Sequence, residues 1–169
     1  MDTNKILSGP KRKNKGFTLV ELLIVFVIIS ILSGMLLLVA GSGRNKAMAT
    51  KIISDMRTLK SATLMYYHED ERQWPSGEIP ESFYSKYLDR KVPESSDETV
   101  WYSFDSSDKA SCLVVANLPD KYVGVKKKLA AMAQESSIYE DKELTKIYGE
   151  TSPPPKKAYM PVAINSNNP

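Results

Sequence analysis

The chain contains a long apolar run that includes a single acidic residue. From Phe17 to Ala40 every side chain is apolar, small or hydroxylated except that of Glu21. As a helix, this run of roughly 24 residues would be about 36 Å long, which is enough to cross the hydrocarbon core of a bilayer. A carboxylate at the centre of a membrane helix costs about 2.5–3.5 kcal/mol, and less near the interface. We therefore expect Glu21 to have a specific partner.

A basic segment precedes the apolar run. The overall net charge is +3, but about +4 of it lies in residues 1–16, so the rest of the chain is close to −1. The positive-inside rule then predicts a cytoplasmic location for residues 1–16 and an external one for the residues after Ala40. Three later cations, Arg44, Lys46 and Lys51, weaken this bias without reversing it. The nearly neutral remainder argues against general nucleic-acid binding, which requires a basic face.

Two simpler interpretations explain the apolar run less well. A secretory signal peptide has a shorter apolar core followed by a small-residue cleavage site, and Ala40–Gly43 is only a passable site of that kind. A simple signal anchor explains the length and the charge. It gives no reason for an acid five residues into the run.

The residues from Lys15 to Val25, KGFTLVELLIV, closely resemble the processing site of type IV prepilins and type II secretion pseudopilins. That site is a short basic leader ending in Gly, then Phe, a hydroxyl or small residue, apolar residues and Glu. The matching positions here are Gly16, Phe17, Thr18 and Glu21. The resemblance implies that a membrane aspartyl prepilin peptidase cleaves between Gly16 and Phe17 and N-methylates Phe17.

Cleavage at that bond would give Glu21 a partner. Gly16 has no side chain, so a protease can approach the backbone closely. The cut creates an α-amine at Phe17, about one helical turn from Glu21. An unpaired buried charge is costly, whereas a buried pair adds little net stability, so such a pair acts mainly to set register. The hypothesis is that Glu21 pairs with the Phe17 amine of a neighbouring subunit; the alternative is that Glu21 snorkels to the interface without a partner.

Helical character is predicted to continue beyond the apolar run. From Ala49 to Tyr67, apolar and small residues recur at spacings of three and four, which indicates one buried helical face. The positions on this face are Ala49, Ile52, Ile53, Met56, Leu59, Thr63 and Tyr66. The charged residues of this stretch, Asp55 among them, are predicted to lie largely on other faces. Pro75 and the polar residues before it predict that the helix ends near Asp70.

Glycines lie where the two halves of this helix meet. Each glycine in a helix costs up to about 1 kcal/mol relative to alanine. Many members of the resembled family have a proline in the second half of the apolar stretch, and this chain has none there. We therefore predict local unwinding or bending between Gly34 and Gly43 on assembly, with Gly34, Gly41 and Gly43 as the weak point.

The remaining residues predict a small head, and the fold class is α+β: a pilin-like long N-terminal helix packed on a small antiparallel sheet. The segment after Pro75 is predicted to be a loop. The predicted elements are a short helix at 83–90, strands at 99–104 and 111–118 forming a hairpin, a helix at 125–139 and an edge strand at 158–164 that contains Pro161. The predicted divisions are a leader (1–16), a transmembrane and assembly helix (17–40), its amphipathic continuation (41–70), a head (71–164) and a disordered tail (165–169).

The head has no residue pattern that indicates catalysis. It lacks a nucleophile–base pair, paired catalytic carboxylates, a glycine-rich phosphate loop and a Cys/His cluster, so neither an enzyme nor a cofactor or metal is predicted. Cys112, the one cysteine, is predicted to be a buried small hydrophobe, and His68 a surface or capping residue. The run Lys126–Lys128 is predicted to be a solvated face, with a small anion- or subunit-contacting patch as the alternative. The acids near the hairpin, Asp97, Glu98, Asp105 and Asp108, are interpreted as surface acids rather than calcium ligands.

The leading functional prediction is a structural subunit of a type IV pilus or related filament. The alternative from the same superfamily is a pseudopilin of a type II secretion system; a DNA-uptake minor pilin and a membrane-anchored enzyme are weaker candidates. The resemblance implies a single-pass precursor in the bacterial inner membrane, followed by an extracellular or periplasmic filament. Implied partners are copies of itself and other pilins, prepilin peptidase, an inner-membrane assembly platform and, before assembly, membrane lipid.

Overall fold

The computed structural model describes residues 16–69, 73–91, 93, 95–96, 98–106 and 111–163, without the side chains of residues 37–40. The chain forms two compact units, Met1–Ala40 and Gly41–Pro169. The long helix predicted at the N-terminus and the small antiparallel sheet are both present, which confirms the α+β class. The elements are α1 (Leu19–Glu69), β1 (Gly77–Glu78), α2 (Glu81–Tyr87), β2 (Trp101–Asp105), β3 (Cys112–Asn117), a 3₁₀ turn (Asp120–Tyr122), α3 (Val123–Ser136) and β4 (Lys157–Ala163).

In the first unit, the described residues are an exposed stretch of α1 and the three residues before it. Every described side chain from Gly16 to Leu36 is exposed. One hydroxyl of this stretch has its partner within the helix: the Ser30 hydroxyl donates a hydrogen bond of 2.7 Å to the carbonyl oxygen of Phe26. Within the described residues, α1 is the one helix long and apolar enough to cross a membrane, and its apolar window is not buried inside the protein.

In the second unit, the remainder of α1 buries one face. The predicted stripe is confirmed from Ala49 to Thr63, where its residues are buried, and its apolar members there belong to the main core. Tyr66, the last residue of the predicted stripe, is half-buried and packs against that core. The described part of α1 extends to Glu69, and the predicted end at Asp70 lies outside the described residues. The buried residues that were predicted are Ala49, Ile52, Ile53, Met56, Leu59 and Thr63, and Ala62, which was not among them, is buried as well.

The sheet is antiparallel throughout, with the strand order β1-β2-β3-β4. The predicted hairpin is β2–β3, with Trp101 opposite Asn117 and Asp105 opposite Leu113. Strand β4 lies at an edge, as the presence of Pro161 requires, because proline cannot donate a hydrogen bond to a second neighbour. The prediction of a loop after Pro75 was wrong in part, since Gly77 and Glu78 pair with β2 as the other edge strand. This strand has two residues, too few for an alternating pattern to show.

The two faces of the sheet are covered differently. The main core contains Tyr102, Phe104 and Val114 from the sheet together with Phe83 of α2 and Leu129 of α3. On the opposite face a smaller cluster of Leu113, Val115 and Tyr159 packs against Tyr139 and Leu144. Both short helices begin two residues earlier than predicted and end three earlier. For α3 this end is set by Ser137, which has a φ of 53° in the left-handed region.

Asp55 was predicted on the polar side of α1, and this was wrong. Its side chain is 3% exposed. Its Oδ1 lies 2.6 Å from Nη2 of Arg90, and its Oδ2 accepts a hydrogen bond of 3.1 Å from the hydroxyl of Tyr102. Burial, and then the neighbouring Asp55 carboxylate, raise the pKa of the Tyr102 hydroxyl, which keeps this donor protonated. A buried carboxylate is tolerated here because two donors satisfy it.

The predicted solvated face at Lys126–Lys128 was also wrong in part. Lys127 is exposed and Lys128 is half-buried, but Lys126 is only 4% exposed. The stem of Lys126 is covered by the protein while its Nζ reaches to 3.5 Å from Oδ1 of Asp120. The predicted disordered tail and Ile164, at the end of the predicted edge strand, lie outside the described residues.

Candidate functional site

The predicted cleavage bond lies just before α1. Gly16 and Phe17 are not helical and both are exposed; 83% of Phe17 is accessible to solvent. A Cβ placed on Gly16 would meet no atom within 4 Å. The peptide bond between Gly16 and Phe17 is therefore open to approach from this side. That this bond is the site of cleavage, and Phe17 the methylated residue, stays a prediction.

Glu21 has a partner within its own chain. One carboxylate oxygen, Oε2, accepts hydrogen bonds from the backbone N–H of Thr18 at 2.7 Å and from its hydroxyl at 2.8 Å. The Thr18 hydroxyl oxygen in turn accepts a bond of 3.2 Å from the backbone N–H of Glu21. This reciprocal arrangement is a capping box, in which Thr18 is the N-cap of α1 and Glu21 the third helical residue. It satisfies two backbone donors that the start of a helix would otherwise leave without a partner.

The sequence contained the signal for this cap. A Ser or Thr followed three residues later by Glu or Gln, just before an apolar run, indicates a capping box. In the processing motif Thr18 is only the small or hydroxyl residue after Phe17. Its role at the start of the helix was therefore missed. The acid at position 21 is thus part of the helix N-terminus as well as part of the motif.

The cap leaves part of the Glu21 carboxylate available. Both Thr18 donors converge on Oε2, and Oε1 accepts no hydrogen bond from the residues that the structure describes. The helix macrodipole also favours a negative charge in the first turn. Thr18 therefore holds the carboxylate in a fixed position while its second oxygen can accept from another group, such as an amine.

Apolar side chains surround this site. From Leu19 to Leu36 the large apolar residues are about half or more exposed, and Leu19 reaches 84%. A contiguous apolar surface of this extent is unusual on soluble monomers and marks a surface that contacts lipid or protein. The start of α1 is thus adapted to an apolar environment supplied from outside the chain.

The three glycines predicted as the weak point lie within α1. Gly34, Gly41 and Gly43 are helical, and a Cβ on any of them would meet nothing within 4 Å. Packing within the subunit therefore does not require glycine at these positions. The predicted unwinding concerns the assembled state and stays a prediction.

The other residues considered as candidates for chemistry are the cysteine, the histidine and the acids near the hairpin. Cys112 is fully buried, and burial raises the pKa of its thiol to about 12. His68 is exposed and contacts the ring of Tyr67 edge-on. Asp105, one of the acids near the hairpin, forms an ion pair with Lys142. No group of three or more potential metal ligands occurs within the described residues.

Comparison with protein families places a known motif on this site. Residues 11–37 match the prokaryotic N-terminal methylation motif. The matched range includes Gly16, Phe17, Thr18 and Glu21 together with most of the exposed apolar run. Comparisons with curated proteins and with solved structures give no match. The chain therefore carries the N-terminal methylation motif, the signature of the type IV pilins and pseudopilins, on an α+β pilin-like fold.

Proposed function

We propose that the protein is a structural subunit of a type IV pilus-like filament. Prepilin peptidase cleaves the precursor between Gly16 and Phe17 and methylates the new amine of Phe17. The observation that carries this proposal is the methylation motif at residues 11–37. The exposed apolar half of α1 agrees with it, because a filament subunit needs a helix that is stable first in lipid and then against other copies.

Before cleavage, the basic leader and the apolar run hold the precursor as a single-pass protein in the inner membrane. The leader stays in the cytoplasm because its cations do not cross the bilayer. The part of the chain after Ala40 is outside. Cleavage removes these cations and converts a membrane-held precursor into a subunit that an assembly platform can extract.

After cleavage, the Phe17 amine of one subunit pairs with Glu21 of its neighbour. The capping box supports this step, since Thr18 fixes Glu21 through Oε2 and leaves Oε1 for a second donor. Subunits that stack out of register leave the amine and the carboxylate unpaired in an apolar environment, which costs several kcal/mol. The pair therefore selects one register rather than adding much net stability.

Mass spectrometry of filaments sheared from the cell surface tests the proposal. We expect an abundant subunit whose mass and N-terminal peptide begin at N-methylated Phe17. Mature protein that still begins with the leader, or that begins after Ala40, would contradict processing at this bond. The second result would indicate a secretory signal peptide instead.

A gene deletion separates the pilus from the secretion pseudopilus, which share the same processing. Loss of surface filaments under the electron microscope, with protein secretion unchanged, is the expected result. Loss of exoprotein secretion with surface filaments intact would identify a pseudopilin. The near-neutral chain after the leader is the reason that a DNA-uptake subunit ranks below both.

A further inference from the structure

A cavity opens in the second unit, at the end of the sheet where three strands align. Trp101 at the start of β2, Asn117 at the end of β3 and Lys157 at the start of β4 are direct register partners. All three line the cavity, whose volume is about 600 Å³. Small-molecule sites commonly have volumes of roughly 300–1,000 Å³. The cavity is thus large enough for one or two sugar-sized units.

Trp101 offers an apolar surface in this cavity. Alternation along β2 sends Tyr102 and Phe104 into the main core and places Trp101 on the opposite face of the sheet. There it is half-buried, and it also lines an adjoining groove of about 270 Å³. The flat face of an indole packs well against the apolar face of a planar or ring-shaped ligand. The main core does not use this side chain.

Lysines dominate the charge of the cavity. Lys121, Lys156 and Lys157 line it, and Asp120 is the one acidic side chain among its described lining residues. That carboxylate is shared: Oδ2 lies 2.6 Å from Nζ of Lys156, and Oδ1 lies 3.5 Å from Nζ of the buried Lys126. The hydrogen bond from Lys156 lowers the pKa of Asp120, so it is ionised at neutral pH.

The positive charge therefore exceeds what Asp120 can balance. Within the part of the chain that the structure describes, neither Lys121 nor Lys157 has a carboxylate partner. Cationic side chains around an open surface cavity attract an anionic group and form charge-assisted hydrogen bonds with it. Asn117 and Ser96, which also line the cavity, can donate to and accept from hydroxyl groups.

We propose that this cavity binds an acidic saccharide, a sugar unit that carries a carboxylate. The sugar ring packs on Trp101, the lysines hold the carboxylate, and Asn117 and Ser96 hydrogen-bond the hydroxyls. A single-stranded nucleic acid is a poorer match, because such sites combine a basic groove along the backbone with several stacking aromatics. Among the described residues that line this cavity, one indole, that of Trp101, is available for stacking. This binding function lies beyond the filament role and does not depend on it.

Isothermal titration calorimetry on the full-length chain in detergent micelles tests the proposal, with trigalacturonate as the probe and neutral galactotriose as its matched control. We expect trigalacturonate to bind at about 50 mM salt and more weakly at about 200 mM, because salt screens the lysines. Galactotriose should bind at least about tenfold more weakly.

Two substitutions locate the binding. Trp101→Ala and Lys157→Glu should each weaken trigalacturonate binding by about tenfold or more. Their matched controls are Trp74→Ala, the other tryptophan, and Lys127→Glu, an exposed lysine of α3 outside the cavity; both should leave the affinity unchanged. Lys157 is exposed, so its replacement tests the cavity even if Trp101→Ala disturbs the fold.

Three results would overturn the proposal. The first is equal binding of the acidic and the neutral trisaccharide, and the second is a Lys157→Glu variant that binds like the Lys127→Glu control. The third is a single-stranded oligonucleotide that binds more tightly than trigalacturonate and whose binding is lost in the Lys157→Glu variant. That last outcome would assign the cavity to nucleic acid instead.

Discussion

Two parts of one helix, α1, differ in whether their apolar side chains are exposed or buried. Between Leu19 and Leu36 its apolar side chains are exposed on every face, whereas between Ala49 and Thr63 they form one stripe buried against the head. The second part is stabilised by packing inside the subunit. The first part has no such packing, so whatever stabilises it in the cell comes from lipid or from other chains. The difference separates residues that stabilise the fold of the subunit from residues whose apolar surface is left for lipid or other chains.

The sharpest test of this contrast uses one residue type in the two parts. Ile52 is 1% exposed and Ile28 is 51% exposed. Ile52→Ala should lower the free energy of unfolding of the head by about 2–5 kcal/mol, because it removes buried methylenes and leaves a cavity. Ile28→Ala should change it by less than about 0.5 kcal/mol. Urea unfolding followed by tryptophan fluorescence measures both, and comparable destabilisation by the two changes would contradict the contrast.

The next effect concerns the buried carboxylate on the packed part of α1. Arg90→Ala should destabilise the head by about 2 kcal/mol, since it leaves Asp55 buried with Tyr102 as its remaining donor. The half-exposed position of Arg90 keeps the effect below that of a fully buried pair. Lys91→Ala is the matched control, because the carboxylate that it contacts, Glu81, is exposed. A destabilisation no larger than that of the control would show that Asp55 does not depend on Arg90.

A smaller effect is expected at the start of the exposed part. Thr18→Ala removes the hydroxyl that bonds both the carboxylate and the backbone N–H of Glu21. The stability of the first turn of α1 should fall by about 1 kcal/mol, so its amide hydrogens should exchange about fivefold faster in micelles. Thr18→Ser keeps the hydroxyl and should exchange like the parent chain. Unchanged exchange in Thr18→Ala would show that the capping box does not hold the first turn.

The last change should stabilise the isolated subunit instead of destabilising it. Replacing Gly34, Gly41 and Gly43 by alanine should stabilise the helix by up to about 1 kcal/mol per site, because a Cβ meets nothing at these positions. If the helix must unwind there on assembly, the same variant should form fewer filaments. Cryo-electron microscopy of parent filaments checks the underlying prediction, which an unbroken helix from Gly34 to Gly43 would refute.

Local signals in the sequence predicted much of this molecule. The spacing of Gly16, Phe17 and Glu21 identified the motif, the three-and-four stripe identified the buried face of α1, and Pro161 identified an edge strand. The misses depended on distant partners or on very short elements. Asp55 is buried because Arg90, thirty-five positions further along the chain, supplies a cation, and no local pattern indicates that pairing. The capping box at Thr18 was present in the sequence but was hidden by its overlap with the processing motif.

We propose that Glu21 sets the register of assembly by pairing with an amine that only processing creates. The most direct measurement is the filament yield of Glu21→Gln, in cells where mass spectrometry verifies that cleavage and methylation at Phe17 are normal. Glutamine preserves the size of the side chain and can still accept from Thr18 through its one amide oxygen. It removes the charge and replaces the second oxygen, the one available to the amine, by an NH2 group. We expect normal processing with the filament yield reduced by about tenfold or more. Normal processing with a normal yield of filaments would contradict it.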